Sequence, residues 1–224
     1  MNLFKSLSYK EWIKTRRTLG VLFVLSLAVL AYVFIEVTHS IRLDEAVNVW
    51  YAYMFLGKPL PMAIMAFPLV AGLALSLVQF IPEMTNKRLK LTLHLPADET
   101  AIVSCMLLYG YFSLVALFAM IAVVMVIILS LILPLDIIKV FLSTLMPWFV
   151  SGLVVYGFAA WICFEPQWKQ RIFNLIIGLG LLSVLFVSPI PGVYLHFGWG
   201  LLVLLVASFI FPFYSAVRFK HGVL

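Results

Sequence analysis

From Ala101 to Leu133 the chain runs for 33 residues without one charged side chain. Soluble domains carry about a quarter charged residues, so water cannot solvate such a stretch and a bilayer must hold it. As one helix it would extend roughly 50 Å at 1.5 Å per residue. The hydrocarbon core is about 30 Å thick, so we expect this run either to project beyond the membrane or to break. Five more apolar runs occur: Leu19–Glu36, Leu60–Ile81, Val140–Phe164, Ile172–Val187 and Trp199–Val217. In lipid the backbone must satisfy its own hydrogen bonds, so each run is expected to be a helix. The expected fold class is an all-α integral membrane protein with six transmembrane helices. With 224 residues, 65% of them hydrophobic and 11% charged, no length remains for a sizeable soluble domain. We read one membrane domain: a cytoplasmic segment 1–18, a six-span region 19–217 and a tail 218–224. The fifth run is short and is followed by "SPIPGVYLHFG". Pro189, Pro191 and Gly192 deny that stretch a regular helix, so a bend or shallow re-entrant turn is expected before the sixth span.

Orientation follows from lysine and arginine. With the N-terminus inside, the inner segments hold twelve of them: Lys5, Lys10, Lys14, Arg16, Arg17, Lys87, Arg88, Lys90, Lys169, Arg171, Arg218 and Lys220. The outer segments hold three, Arg42, Lys58 and Lys139. That bias puts both termini in the cytoplasm. The first run is too long for a cleaved signal peptide and reads as a retained anchor. The expected location is the cell's inner (plasma) membrane, crossed many times. The net charge of +6 sits at the ends of apolar runs. It therefore encodes topology, not a groove for nucleic acid.

Several chemistries lack their residues. No Asp, Glu, Lys, Arg or His lies in the middle of a run, which opposes an ion-coupled carrier and a haem held between spans. "GK" at Gly57 and Lys58 is followed by Pro59, and "GLG" at Gly178–Gly180 follows no strand, so neither nucleotide-binding fingerprint is met. Cys105 and Cys163 lack metal or disulfide spacing and read as small buried hydrophobes. Ser26, Ser76, Ser104, Ser113, Ser151, Ser183 and Ser208 have no base nearby in sequence and read as packing residues or helix-to-helix hydrogen bonders. Gly72 and Ser76 form a small-xxx-small pair suited to close helix approach. We expect no cofactor, no metal and no catalytic residue in this chain.

Two stretches on the inner side carry more pattern than topology needs. In the first, "SYKE" at Ser8–Glu11 fits a capping box, with Ser8 as N-cap and Glu11 at N3. Tyr9, Trp12 and Ile13 then share one helical face, while Lys10, Lys14 and Arg17 share another. This predicts an interfacial helix with aromatics in the headgroup layer and cations toward water and anionic lipid, after a break near Ser6–Ser8. In the second, "NKRLKLTLHLPADE", Arg88–Leu95 alternates like a strand. A lone strand in a helical protein would leave its backbone unpaired, so a short helix ended by Pro96 is expected. Leu89 and Leu93 fall on one face of it, Leu91 and Leu95 on a neighbouring one, with Lys87, Arg88 and Lys90 near its start. Those leucines exceed what a solvated loop needs, and a docked second protein would account for them.

The run "PEMTNKRLKLTLHLPADETAIVSCMLLYG" resembles the intracellular segment of ABC type-2 exporter permeases. The shared pattern is Glu83 just after the second span, a basic and leucine-rich short helix from Lys87 to Leu95, Leu-Pro at Pro96, and a polar turn into the third span. Six spans, inner termini and an amphipathic N-terminal helix match in layout. The family usually has a glycine near position 87 or 88, where this chain reads "NKR". The resemblance implies that Glu83, Lys87, Arg88, Leu89, Lys90, Leu91, Leu93, His94, Leu95 and Pro96 dock a separate ATP-binding cassette ATPase. It implies that Tyr9, Lys10, Glu11, Trp12, Ile13, Lys14 and Arg17 form the interfacial helix. It also implies pairing with a second permease copy or a paralogue, and no ATP hydrolysis by this chain. The alternative is an integral membrane enzyme or assembly factor acting on a lipid or other hydrophobic substrate. Glu165, near Gln167, Lys169 and Gln170, is its one candidate group, and a plain loop accounts for it.

Overall fold

In the computed structural model the described residues are 3–44, 46–85, 98–186, 194 and 197–220. They are helical nearly throughout. The elements are α1 (Leu3–Asp44), α2 (Ala46–Met54), α3 (Met62–Thr85), α4 (Glu99–Leu129), α5 (Leu135–Phe164), α6 (Trp168–Ser183) with a 3-10 turn (Val184–Phe186), and α7 (Gly198–Lys220). Five of them, α1, α3, α4, α5 and α7, are long and apolar enough to cross a membrane. The chain is thus an all-α, multi-pass membrane protein. The expected fifth span is α6, only 16 residues or about 24 Å.

One expectation changes, one open alternative is decided and one element is new. The chain does not break near Ser6–Ser8: α1 is one helix of 42 residues, about 63 Å long. Ser8 is therefore interior and caps nothing, and Glu11 is not the N3 residue of a capping box. Continuous burial explains the unbroken rod, since Leu7, Glu11, Thr15, Leu22 and Ser26 are all buried down one side of it. The 33-residue apolar run is also unbroken through Leu129, where α4 gives way to the turn before Pro134. Finally, α2 was not foreseen: its Trp50, Tyr51 and Tyr53 belong to no apolar run of spanning length, yet Tyr53 is buried, its ring 4.8 Å from that of Phe141 on α5. After α2 the chain turns through Gly57, whose φ of 61° is the left-handed conformation that glycine adopts freely.

The helix α5 is the axis of the bundle. Tyr156, Ala160 and Phe164 face the main core shared with α1, α3 and α4. Val154, Phe158 and Trp161 face a second cluster with the 3-10 turn and α7. The approach of α3 to α5 depends on glycine. A Cβ at Gly72 would strike the Gly152 carbonyl, and one at Gly152 would stand 2.6 Å from the Pro68 carbonyl oxygen. Without side chains there, the two backbones touch, which is how helices gain dispersion contacts where lipid offers no hydrophobic drive. Gly72 of the small-xxx-small pair makes this contact, while the Ser76 hydroxyl is buried with no hydrogen-bond partner among the described residues.

Candidate functional site at the basic end of the bundle

Contacts between helix ends fix which ends lie together. Ser8 of α1 meets Cys105 of α4 at 3.9 Å, and Lys14 of α1 reaches Glu83 near the end of α3. The Phe80 and Phe164 rings of α3 and α5 stand 4.8 Å apart. Ser215 of α7 bonds Glu165 just after α5. The start of α1, the end of α3, the start of α4, the end of α5, the start of α6 and the end of α7 therefore share one end. This end carries Lys5, Lys10, Lys14, Arg16, Arg17, Lys169, Arg171, Arg218 and Lys220. Arg42, Lys58 and Lys139 lie toward the other.

At the basic end two carboxylates are taken out of solvent beside two ammonium groups. Glu11 is 0% and Glu83 1% exposed. Lys14 Nζ donates to Glu83 Oε1 at 2.8 Å and to the Gln79 carbonyl oxygen at 3.4 Å, and stands 2.7 Å from Glu11 Oε1. Two of its three ammonium donors thus have hydrogen-bond acceptors, and the contact with Glu11 is an ion pair. Lys10 Nζ lies 3.0 Å from the same Glu83 oxygen. The two lysines offset the two carboxylates, which is what allows Glu11 and Glu83 to be buried. Helical spacing sets the geometry: Lys10 and Lys14 are four apart on α1, Gln79 and Glu83 four apart on α3, so each pair presents one face to the other.

From this clamp a hydrogen-bonded chain leads inward. Gln79, fully buried, donates through Nε2 to the Met106 carbonyl of α4 at 2.8 Å and accepts at Oε1 from the Tyr156 hydroxyl of α5, also at 2.8 Å. Every partner fixes the amide orientation. The Tyr156 ring fits because residue 110 is glycine; a Cβ there would overlap it. Tyr156 packs edge-on against Tyr111, centroids 5.0 Å apart. Ser208 spends its proton on the Leu205 carbonyl at 2.8 Å, so the Tyr111 hydroxyl must donate to Ser208 Oγ at 3.0 Å. By the same logic Tyr109 donates to Thr15 Oγ1 at 2.9 Å, because Thr15 donates to the Glu11 carbonyl. One clamp and one chain thus join α1, α3, α4, α5 and α7.

A second buried carboxylate site ties α5 to α7. Glu165, 0% exposed, accepts from Ser215 Oγ at 2.7 Å and pairs with Arg218 at 3.4 Å. Arg171 donates to the Glu165 backbone carbonyl at 2.8 Å. Glu165 lies, as expected, in the short connection between α5 and α6, but its side chain is buried there. Its carboxylate is committed to Ser215 and Arg218, a structural arrangement.

The sequence-derived site residues divide three ways. Lys87, Arg88, Leu89, Lys90, Leu91, Leu93, His94, Leu95 and Pro96 lie outside the described residues, as does the stretch 187–193 where a bend was expected. Tyr9, Trp12 and Ile13 share an exposed face, 65%, 49% and 49% accessible. Glu11, Glu83, Lys10 and Lys14 turn out to be partners across the α1–α3 seam. Glu83 therefore points at α1 and not outward, and Lys10 and Lys14 do not form a free cationic face with Arg17. Gln79, Tyr156 and Tyr111 were missed, while Ser208 is a helix-to-helix hydrogen bonder as its reading allowed. The available signal was a glutamine inside an apolar run. Apart from Ser76, the remaining in-span serines back-bond their own helices, as Ser26 does to Phe23 and Ser151 to Trp148, both at 2.7 Å. Among the described residues no three His, Cys, Asp or Glu gather into a metal site. No protein-family model, no curated protein and no solved structure matches the chain.

Proposed function

We propose that this chain is the permease subunit of an ATP-driven transporter of the ABC type-2 exporter kind, set in the plasma membrane. In this reading it crosses six times with both termini in the cytoplasm, and a separate ATP-binding cassette subunit supplies the energy. A second permease copy or paralogue completes the path. The basic end is then the cytoplasmic one by the positive-inside rule. The sixth crossing would be α6 with the 3-10 turn that ends it.

One observation carries the reading. Glu83, three residues before the leucine-rich segment 86–97, is locked to Lys10 and Lys14 of α1. A push delivered to that segment would reach α1 through two ion pairs, and α4 and α5 through Gln79 and Tyr156. A chain that receives work at a cytoplasmic segment needs such a rigid connection at its root. A chain that performs chemistry needs an accessible reactive group, and Glu83 and Glu165 are both buried and paired.

The test is co-expression of the chain with a cassette ATPase, followed by co-purification and turnover. Leu91→Asp should release the ATPase while the chain stays inserted. Glu83→Gln should keep the complex and lower the turnover that the permease stimulates. ATP hydrolysis by the chain alone, in a preparation free of other polypeptides, overturns the reading.

A further inference from the structure

The face of α1 opposite the clamp makes a separate site. On a 100°-per-residue wheel, Lys5, Tyr9, Trp12, Ile13, Arg16, Gly20, Phe23 and Leu27 fall along one stripe, about half a turn from the buried stripe of Leu7, Glu11 and Thr15. Because Lys10 and Lys14 bind Glu83, α1 cannot roll, and the stripe must face outward. It is exposed along its length: Tyr9, Trp12, Phe23 and Leu27 are all 40% accessible or more. The stripe changes character in the middle. Cations and amphipathic aromatics occupy its start, as the headgroup layer favours. Phe23, Val24 and Leu27 follow, as the hydrocarbon favours.

The change falls at Gly20. A Cβ built there meets nothing within 4 Å, so the helix surface has a notch at that point. Arg16 and Arg17, both exposed, lie four and three residues before it, one on each side. Val24 and Phe23 flank it on the far side. Among the described residues no carboxylate lies within ion-pair reach of either arginine. Two exposed guanidinium groups without an ion-pair partner among the described residues, placed just before the apolar part of the stripe and its bare notch, match an anion joined to a hydrocarbon chain. We propose that this stripe seats an anionic phospholipid, its phosphodiester on Arg16 and Arg17 and the start of one acyl chain across Gly20. Guanidinium suits phosphate because its planar fork donates two parallel hydrogen bonds. The seat stands on membrane insertion alone and is independent of the transport reading.

The full-length chain, incorporated into phosphatidylcholine vesicles containing phosphatidylglycerol and extracted into mild detergent, is analysed for retained lipid. Phosphatidylglycerol should be enriched over its share of the vesicle. Arg16→Gln and Arg17→Gln should each cut that enrichment about fivefold, and Arg16→Lys/Arg17→Lys should keep most of it. Lys139→Gln, a cation at the other end, should leave it at the wild-type level. Gly20→Leu should lower it by filling the notch. Both arginines are exposed, so circular dichroism should show an unchanged helical fold in the glutamine variants. No enrichment in the wild type, or equal enrichment in the double glutamine variant, overturns the proposal. So does displacement of the lipid by inorganic phosphate, which would assign the site to a free anion.

Discussion

The two ends of this bundle use the same ion pairs to opposite effect. At the basic end Lys14 and Glu83 meet at 2.8 Å with side chains 16% and 1% exposed. At the other end Asp136 and Lys139 meet at 3.5 Å with side chains 69% and 78% exposed. The second pair is dissolved in its surroundings and contributes about 0–1 kcal/mol. The first cannot lose a partner without stranding a charge, and its effective dielectric is lower. Chemistry is equal in the two places; burial alone separates a structural clamp from a surface decoration. The lesson extends to position. The clamp sits where the chain enters the segment 86–97, whereas Asp136 and Lys139 pair within one helix and join no two elements.

Breaking the clamp should have the largest effect. Lys14→Met leaves Glu11 and Glu83 with one ammonium between them and should cost about 3–5 kcal/mol, read as a lowered thermal midpoint in detergent. Pairing it with Glu11→Leu should recover a large part of the loss, because the two sites share one interaction. A drop as small as that of the surface pair would show that water reaches the clamp. Next in size is Tyr156→Phe. It removes the donor to Gln79 Oε1 in a fully buried place and should cost about 1–3 kcal/mol. A neutral result would mean that Gln79 finds another donor. Smallest is Lys139→Gln, expected below about 1 kcal/mol and weakened further by added salt. A loss matching that of the clamp would erase the distinction between the ends.

Much of the fold was legible because the bilayer imposes a simple code. Run length and charge placement located α1, α3, α4, α5 and α7, and even the short α6. What stayed hidden was tertiary. Nothing local says that Lys10 and Lys14 face Glu83, since those partners are some seventy residues apart. The capping pattern at Ser8–Glu11 was a local match overridden by helix continuity on both sides. Tyr9, Trp12 and Ile13 were read as one face, and they are one, because 3.6-residue spacing needs no partner. Gln79 could have been noticed as an amide within an apolar run, where an unpaired polar group is costly. Its partners could not, as one is a backbone carbonyl and the other a tyrosine on the distant α5. Gly152 and Gly157 carried no spacing signal, although a Cβ at Gly157 would overlap the Tyr111 hydroxyl and lie against the Ser208 backbone.

The length of α1 has a mechanical corollary. A helix of about 63 Å, held near one end by ion pairs and along its middle by the bundle, would act as a seesaw. Pivoting it by about 10° would carry its far tip roughly 5 Å if the fulcrum lies midway. A small displacement beside Lys14 would thereby be delivered, without amplification machinery of any other kind, to Arg42 at the far end of the bundle.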